Sequence, residues 1–327
     1  MKVSVLIITR NEEKYILDCI KSIENQFENN DNWELIIVDG ESDDNTKKLA
    51  EEYLKDVKYS YSILNNQKKI LASGWNIGIK CAKGRYVVRP DAHGALHKNY
   101  IKYGMEVLEN KQEVIAVGGL LETKAKNFFG NIIKEALSSR VGVGNSSFRT
   151  AEESGYYDTA VFALYRKEIF DKVGLFNENL VRHQDNDMHK RIKDTGGKFY
   201  LDIRMRADYY CRDTAPKLLK QMFNIGRYLP DIMGDGSLSI RHFAPFIFYI
   251  TILILMILGV YWDIFSNLGL LIFTGYLSVI SLDSIIKTIK KKNIGMLLNI
   301  LIIPLMHFNY GLGTLVGLIK KIKYGEK

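Results

Sequence analysis

The chain of 327 residues carries a formal net charge of +8, and 47% of its residues are hydrophobic, which is enough for one large domain plus an appendage. Its three cysteines, Cys19, Cys81 and Cys211, are widely separated, which excludes a CxxC metal site and indicates reduced thiols. The N-terminal sequence is too short and too strand-like for a signal peptide, so we expect the soluble part on the cytoplasmic side.

Strands and helices alternate from Val3 to Arg89. Continuous apolar runs, typical of strands buried on both faces, occur at Val3–Thr9, Glu34–Val38, Tyr61–Leu64 and Arg85–Arg89. Three helices are predicted between them: one whose apolar face is formed by Ile16, Ile20, Ile23 and Phe27, one beginning at Asn45 or Thr46, and one over Lys68–Ala82. This alternation predicts an α/β fold with a mostly parallel sheet covered by helices.

Between residues 114 and 201 the sequence predicts two further strands, one helix and one loop. Val114–Leu121 reads as a strand, and residues 141–147, which contain two glycines and two serines, read as a loop. Asp185–Asp194 is predicted to be helical and to end before Gly196, and Lys198–Leu201 is predicted to be a short strand.

Long apolar runs occupy the C-terminal part of the chain. Residues 243–262 and 264–282 are each long enough to cross a bilayer as a helix. Residues 296–319 are apolar but interrupted by Pro304 and three glycines, so we expect them either to span the membrane or to form a re-entrant or interfacial hairpin. The predicted organisation is a cytoplasmic domain over residues 1–235, including an amphipathic interfacial segment at 215–235, and a membrane region over 236–327.

Two lysine clusters flank these apolar runs. One comprises Lys287, Lys290, Lys291 and Lys292, and the other comprises Lys320, Lys321, Lys323 and Lys327. Basic residues beside apolar helices favour contact with the anionic lipids of the cytoplasmic leaflet over nucleic acid, although a solvated basic surface remains an alternative. Membrane lipids are therefore predicted partners, and nucleic acid is not.

Polar groups follow three of the predicted parallel strands directly. They are Thr9-Arg10-Asn11, Asp39-Gly40-Glu41-Ser42-Asp43 and Asp91-Ala92-His93. In open α/β sheets ligands bind beyond the carboxyl ends of the strands, so these loops are candidates for a nucleotide site. Asp39 is suited to accept hydrogen bonds from a base or ribose, and Asp43 is a further ligand candidate, whereas Asp44 to Thr46 are expected to cap the next helix.

The spacing of Asp91 and His93 is suited to one side of a divalent cation. Two oxygen or nitrogen ligands at positions i and i+2 leave the other coordination sites to substrate phosphates and water. The alternative for an Asp in a turn is a purely structural role. A cation bound there would neutralise the negative charge that builds on a leaving diphosphate.

The order of these motifs resembles the family-2 glycosyltransferases, which have the GT-A fold. The resemblance rests first on Val5–Glu13 followed by Val38–Thr46. The metal-binding D-x-D element of the family is similar to Asp91-Ala92-His93, with His93 replacing the second Asp, and the catalytic E-D element is similar to Gln184-Asp185, with Gln replacing Glu. Further segments resemble the succinoglycan-biosynthesis subgroup: Gly142–Ser146, Tyr157–Thr159 and Val181–Asp187. A last element, Gln221 with Arg227 and Tyr228, resembles the Q/R-x-x-R-W-like motif, with Tyr in place of Trp.

The resemblance implies an inverting transfer of a sugar from a nucleotide-sugar, by default a UDP-sugar, to a lipid-linked saccharide acceptor in the synthesis of a cell-surface glycan or exopolysaccharide. It implies that Asp185 is the general base and that Asp91 and His93 bind Mn²⁺ or Mg²⁺. The implied nucleotide-sugar contacts are Thr9, Arg10, Asn11, Glu12, Asp39, Gly40, Asp43 and Asp91. Gln184, Gln221 and Arg227 are implied on the acceptor or diphosphate side, and the implied location is the cell membrane.

Two alternatives stay open at this point. A membrane scaffold that retains an inactive GT-A domain is compatible with the replacements at His93 and Gln184. A nucleotidyltransferase also binds nucleotides on a similar sheet, but it would be expected to show a glycine-rich, basic phosphate loop, which Val5–Glu13 lacks. A sugar hydrolase is disfavoured because it needs paired carboxylates that flank the bond.

Overall fold

The computed structural model describes residues 2–28, 32–144, 147–233 and 240–324. The chain divides into two compact units, one formed by Met1–Glu122 with Ser146–Tyr210 and the other by Thr123–Asn145 with Cys211–Lys327. The predicted boundary between residues 235 and 236, the motif residues Asn145 and Ser146, and Lys327 lie outside the described residues. Helices and strands are numbered below in chain order across both units.

The first unit begins with the predicted alternation of strands and helices. The strands are β1 (Val3–Thr9), β2 (Trp33–Asp39), β3 (Ser60–Asn65) and β4 (Tyr86–Val88), and the helices between them are α1 (Ile16–Glu24), α2 (Thr46–Leu54) and α3 (Leu71–Cys81). These four strands lie side by side in the order β3-β2-β1-β4, and all three pairings are parallel. The parallel half of the sheet predicted from the sequence is confirmed.

The burial of their apolar side chains explains why these segments form strands and helices. Nearly every residue of β1 and all of β2 are buried, as expected for strands covered on both faces. The apolar face of α1, formed by Ile16, Ile20 and Ile23, is buried against them, whereas Phe27 lies beyond the helix and stacks on Trp33 with ring centroids 4.2 Å apart. The third helix begins at Leu71 and not at the predicted Lys68, because Lys69 has a left-handed backbone (φ 58°) that cannot continue a helix.

The sheet then continues in the antiparallel sense. The remaining elements of the first unit are β5 (Gly94–Leu96), α4 (Tyr100–Asn110), β6 (Val114–Lys124), α7 (Ser147–Thr150), β7 (Gly155–Tyr157), β8 (Leu164–Arg166), α8 (Ile169–Val173), α9 (Gln184–Asp194) and β9 (Lys198–Tyr210). The strand order is β3-β2-β1-β4-β8-β6-β9-β5, and β7 pairs with β9. The whole sheet is therefore mixed, which the alternation at the start of the sequence did not predict.

Two local predictions in this region were wrong. The strand predicted over Lys198–Leu201 is 13 residues long, because it pairs with β7 over Phe199–Leu201 and with β5 over Ala207–Tyr209. The predicted loop at 141–147 contains one helical turn, α6 (Arg140–Val143), where the Ser139 hydroxyl accepts a hydrogen bond from the Val141 N–H at 3.1 Å.

The second unit is helical. It contains α5 (Phe128–Leu137), α6, α10 (Ala215–Arg227), α11 (Ala244–Leu258), α12 (Asp263–Lys291) and α13 (Asn299–Tyr324), with 3₁₀ turns at Leu229–Ile232, Ile240–Phe243 and Ile294–Leu298. Two helical stretches in the described part of the chain, Asp263–Lys291 and Ile294–Lys323, are long and apolar enough to cross a membrane. The run predicted to span at 243–262 forms the shorter helix α11, of 15 residues.

The hairpin considered for residues 296–319 is wrong, because α13 is one continuous helix that contains Pro304. Its glycines serve close packing. A Cβ atom on Gly313 would lie 2.1 Å from the Phe223 carbonyl oxygen, and one on Gly317 would lie 2.2 Å from the Arg227 carbonyl oxygen. Only glycine allows the backbones of α10 and α13 to approach this closely, as in other small-xxx-small helix contacts.

Candidate active site

The carboxyl ends of β2, β1 and β4 form one edge of the sheet. Thr9 pairs with Asp39 in the parallel register, and Ile8 forms a bridge with Asp91. Because neighbouring strands lie about 4.8 Å apart, Asp39 and Asp91 are separated by roughly 10 Å. The structure therefore brings together the three strand-end segments that the sequence singled out.

The loops after β1 and β2 are bonded to each other. The bonds run from the Asn11 N–H to Ser42 Oγ (3.0 Å), from the Asp43 N–H to Asn11 Oδ1 (2.8 Å), from the Glu12 N–H to Thr46 Oγ1 (2.7 Å) and from the Gly40 N–H to the Thr9 carbonyl (2.8 Å). Arg10 lies at the rim, with Nη2 3.9 Å from Asp43 Oδ2. These bonds hold the predicted nucleotide-binding residues as one preformed surface.

Asp39 is buried at the base of this surface. Its two carboxylate oxygens accept hydrogen bonds from the Ser42 hydroxyl at 2.6 Å and the Ser42 N–H at 3.0 Å. Each oxygen keeps a second lone pair for a ligand. Of the segment expected to cap the next helix, Asp44 takes that role, since its Oδ1 accepts from the Thr46 N–H at 2.9 Å, whereas the Asn45 side chain makes no capping hydrogen bond.

Asp91 and His93 lie in the turn that follows β4. Burial raises the pKa of Asp91, the charges of His93 and Arg89 oppose that shift, and the carboxylates of Asp185 and Glu12 add to it. His93 Nδ1 lies 3.1 Å from Glu12 Oε1, so Glu12 orients the imidazole. A partly buried carboxylate surrounded by further carboxylates, beside an oriented imidazole, is a donor set that fits a divalent cation.

Asp185 lies in the first turn of α9, which begins at Gln184. Its Oδ1 accepts a hydrogen bond from Arg89 Nη2 at 2.8 Å, and its side chain is 41% exposed, whereas that of Arg89 is only 4% exposed. Asp91 and Asp185 influence each other electrostatically and both interact with Arg89, so the two carboxylates share one neighbourhood. The Oε1 atom of Gln184 is buried and has no hydrogen-bond partner among the described residues.

Arg89 and its neighbours were not singled out from the sequence. The guanidinium lies 3.6 Å from the ring centroid of Trp75, 4.7 Å from that of Phe176 and 5.2 Å from that of Tyr165. A sequence signal was available, because an arginine that follows a short apolar strand and stands two residues before a site carboxylate is unusual.

A buried histidine completes this neighbourhood. His189 Nε2 lies 2.9 Å from the Tyr165 hydroxyl, and its Nδ1 lies 3.0 Å from Thr159 Oγ1. Burial lowers the pKa of His189 to about 4, so the ring is neutral at physiological pH.

A second group of ligand-type side chains lies elsewhere in the first unit. Within the described ranges, the ligand atoms of His97, Glu122 and Asp208 lie within 4.8 Å of one another. His97 Nε2 contacts Asp208 Oδ1 at 2.8 Å, and Glu122 pairs with Arg206 at 3.0 Å. Sequence reasoning missed this group because its members come from distant segments of the chain.

The two remaining predicted site residues, Gln221 and Arg227, lie on α10 in the second unit. Their proposed role on the acceptor or diphosphate side stays a prediction.

Comparison of the sequence with known proteins gives one consistent answer. Residues 4–174, more than half of the chain, match the family described as Glycosyl transferase family 2. A dolichyl N-acetyl-α-D-glucosaminyl phosphate 3-β-D-2,3-diacetamido-2,3-dideoxy-β-D-glucuronosyltransferase of Methanococcus voltae is 28% identical over 324 residues and 97% of each chain. The succinoglycan biosynthesis protein ExoA of Rhizobium meliloti is 26% identical over 200 residues, which are 60% of this chain and 59% of that protein.

Solved structures show the same fold. GalNAc-T7, crystallised with UDP, GalNAc and Mn²⁺, superposes with a TM-score of 0.54 at 15% identity over 73% of this chain and 52% of that one. Residues 1–349 of Staphylococcus aureus TarS superpose with a TM-score of 0.50 at 16% identity over 100% of this chain and 92% of that one. The mixed sheet covered by helices is thus the GT-A fold.

Proposed function

The chain belongs to glycosyl transferase family 2, and from this premise we propose that it transfers a sugar from a nucleotide-sugar donor, by default a UDP-sugar, to a lipid-linked saccharide with inversion at the anomeric carbon. The proposal rests on the proximity of Asp39, Asp91 and Asp185 at the carboxyl edge of the parallel strands. A nucleotide subsite, a cation subsite and a base are then within reach of one bound donor.

Asp185 is the proposed general base. As the acceptor oxygen bonds to the anomeric carbon, the bond from that carbon to the diphosphate oxygen breaks, and the acceptor proton passes to the Asp185 carboxylate. Asp185 suits this role because its side chain is partly exposed while Oδ1 is held by Arg89 at 2.8 Å. No leaving-group acid is required, since positive charge stabilises the departing diphosphate.

Asp91 and His93 are the proposed ligands of a divalent cation, Mn²⁺ or Mg²⁺. A bound cation supplies Lewis-acid stabilisation for the diphosphate leaving group. Glu12 orients His93, and the raised pKa of Asp91, caused chiefly by burial, means that a cation nearby would favour its charged form.

The loops after β1 and β2 are proposed to bind the nucleotide. Asp39 is the proposed acceptor of hydrogen bonds from the base or ribose, and the backbone between Thr9 and Glu12 is held in place by its hydrogen bonds to the next loop. Asp43 and Arg10 lie at the exposed rim, where they are suited to contact the outer part of the nucleotide.

The acceptor is proposed to be lipid-linked, with the enzyme in the cell membrane and its catalytic domain cytoplasmic. The name of the Methanococcus voltae relative describes a dolichyl-linked acceptor, and the alignment covers nearly all of both chains. The two long apolar helices of the second unit support membrane association. Exopolysaccharide or cell-surface glycan synthesis is the corresponding process.

The test is incorporation of radiolabelled sugar into lipid extract by the purified full chain, with a panel of nucleotide-sugars. We expect incorporation with one donor and release of nucleoside diphosphate, and we expect Asp185→Asn to lower turnover by about 10² to 10⁴ without loss of UDP binding. Asp194→Asn is the matched control, since Asp194 lies on the same helix and pairs with Lys190 on the surface. Near-normal turnover of Asp185→Asn would remove Asp185 from the base role.

An inactive membrane scaffold is the second candidate. The observation that favours it is Gln184, which replaces the family's Glu and has a buried oxygen without a partner in the described part of the chain. Binding of UDP without incorporation from any donor would support this scaffold. Release of pyrophosphate instead of nucleoside diphosphate would indicate a nucleotidyltransferase.

A further inference from the structure

Arg89 is a buried cation with one hydrogen-bond acceptor. Its Nη2 donates to Asp185 Oδ1 at 2.8 Å, while its Nε and Nη1 are buried and have no hydrogen-bond partner among the residues described. Buried charges are normally paired and fully hydrogen-bonded, because an unsatisfied donor in the interior destabilises the folded state. Arg89 nevertheless keeps these unsatisfied donors while it contacts Asp185, the candidate base.

We propose that Arg89 is a positioning residue that fixes the Asp185 carboxylate for proton abstraction. This inference rests on the proposed function, since it assigns Arg89 a role through Asp185 in that reaction. Arg89 holds Oδ1, and Oδ2 receives no hydrogen bond from the described residues, so Oδ2 is the oxygen that takes the acceptor proton.

The aromatic surroundings explain why Arg89 can serve as a rigid support. Its guanidinium lies against Trp75 at 3.6 Å and Phe176 at 4.7 Å from the ring centroids. Trp75 belongs to α3 and Phe176 follows α8, so two separate segments fix the plane of the guanidinium. Cation–π contacts stabilise a desolvated arginine and hold its planar guanidinium in one orientation.

The start of α9 fixes the other end of the pair. His183 adopts a left-handed backbone (φ 62°), and the helix begins at the next residue. The Asp185 carboxylate is therefore held by its own backbone in the first turn of α9 and by Arg89 across the site. Precise positioning of a reacting group contributes much of the rate acceleration of an enzyme, and a displacement of about 1 Å lowers the rate roughly 100-fold.

A second buried arginine shows what a structural arginine looks like in this fold. Arg166 is also 4% exposed, but its donors reach the backbone carbonyls of Val114, Leu108 and Lys111. Arg166 therefore ties together backbone segments of the sheet and its surroundings, whereas Arg89, among the described residues, donates only to a partly exposed carboxylate. Arg166 is the matched control for a test of Arg89.

The experiment compares wild type, Arg89→Lys, Arg89→Met, Arg166→Lys, Asp185→Asn and the double variant Arg89→Met/Asp185→Asn as full chains. The measurements are kcat and KM for the donor, UDP binding with Mn²⁺, and the thermal unfolding temperature. We expect Arg89→Met to lower kcat by about 100-fold or more, with KM and UDP binding changed by less than about threefold. Arg89→Lys keeps the charge without the planar fork, so we expect a loss of about tenfold.

The double variant separates positioning from structure. If Arg89 acts through Asp185, adding Arg89→Met to Asp185→Asn lowers kcat no further. Arg166→Lys is expected to lower the unfolding temperature while leaving kcat within about threefold. A multiplicative loss in the double variant would overturn the positioning role and leave Arg89 as a structural residue.

The remaining outcomes are equally decisive. If a folded Arg89→Met variant has an unchanged kcat, the inference is overturned. The proposed function still stands in that case, provided that Asp185→Asn is inactive. If Arg89→Met fails to fold, Arg89→Lys decides, and unchanged kcat there overturns the inference. A wild-type chain that transfers no sugar from any donor refutes the proposed function and this inference together.

Discussion

At the residue scale, the buried ring of His189 makes the stability of the protein depend on pH. Burial lowers its pKa from 6.5 to about 4 in the folded chain. Between these values the unfolded chain binds a proton that the folded chain does not, so stability falls as the pH falls from about 6.5 to about 4. Between pH 7 and pH 5 we expect a loss of about 2 kcal/mol from this residue.

The measurement is the free energy of unfolding of wild type and His189→Gln at both pH values. Glutamine keeps a donor and an acceptor for Thr159 and Tyr165 but does not titrate. We expect the variant to be less stable at pH 7 and to lose less stability on acidification. An equal acid-induced loss in the two proteins would show that other groups dominate.

Metal dependence is a second prediction for single residues. We expect EDTA to stop sugar transfer by the wild-type chain and added Mn²⁺ or Mg²⁺ to restore it, because the diphosphate leaving group needs the positive charge. Asp91→Asn should reduce the activity regained at a given metal concentration by at least about tenfold.

The group of His97, Glu122 and Asp208 supplies the control for that experiment. Asp208→Asn removes a possible ligand from the second group without touching Asp91 or His93. We expect its metal requirement to match that of the wild type. Loss of metal activation in Asp208→Asn with retention in Asp91→Asn would move the functional cation to the second group.

Residues of the candidate site differ in how far the sequence predicts them. Asp39 and Asp91 follow apolar runs directly, and strand ends of a parallel sheet share one edge, so their proximity follows from local pattern alone. Arg89 and His189 acquire their roles from partners far along the chain, such as Asp185 and Thr159. Such contacts depend on tertiary packing, which one sequence does not reveal.

At the scale of elements, continuous apolar runs predicted strands reliably, whereas a strand rich in charged residues was predicted too short. The strands β1 and β2 are buried on both faces, so their sequences carry an unbroken signal. In β9 the outward-facing Arg204 and Arg206 form ion pairs with Glu106 and Glu122 on neighbouring elements. Such pairs stabilise a charged strand only after the sheet has formed, and for that reason the prediction ended at Leu201.

The contact between α10 and α13 gives a prediction for a single glycine. A side chain on Gly313 would clash with the backbone of α10, since its Cβ would lie 2.1 Å from the Phe223 carbonyl oxygen. We expect Gly313→Leu to destabilise the second unit by more than about 3 kcal/mol, because a backbone clash is relieved only by separating the helices.

Gly275→Leu is the control for this substitution. Gly275 is also inside an apolar helix, α12, but no atom lies within 4 Å of the position of its Cβ. Thermal unfolding in detergent, together with proteolysis of α10, distinguishes the two variants. If Gly313→Leu unfolds at the same temperature as Gly275→Leu, the two helices do not pack as described.

At the scale of the whole molecule, the second unit exposes a large apolar surface. Most outward-facing side chains of α11 and α12 are apolar, including Leu253, Ile254, Ile257, Leu270 and Leu271, each at least half exposed. A patch of this size is typical of a surface that another apolar phase covers. Length and composition make α12 the first candidate for a helix inside the bilayer.

We therefore expect the full chain to stay with membranes after an alkaline carbonate wash, and we expect α12 to be responsible. Leu268 and Leu271 lie one turn apart on α12 and are 43% and 68% exposed. An arginine costs about 2.5 to 3.5 kcal/mol at the centre of a spanning helix and less towards its ends, so Leu268→Arg with Leu271→Arg, in the first half of α12, should reduce the carbonate-resistant fraction.

The matched control carries the same two changes at the basic end of α13. Ile319 and Ile322 are also one turn apart and 53% and 83% exposed, but they lie among Lys320, Lys321 and Lys323. Arginine at a membrane surface is favourable and can extend towards the lipid headgroups, so Ile319→Arg with Ile322→Arg should leave the resistant fraction unchanged. An equal loss in both double variants would point to general unfolding. No loss in either would mean that α12 lies outside the bilayer and that its apolar face is covered by protein.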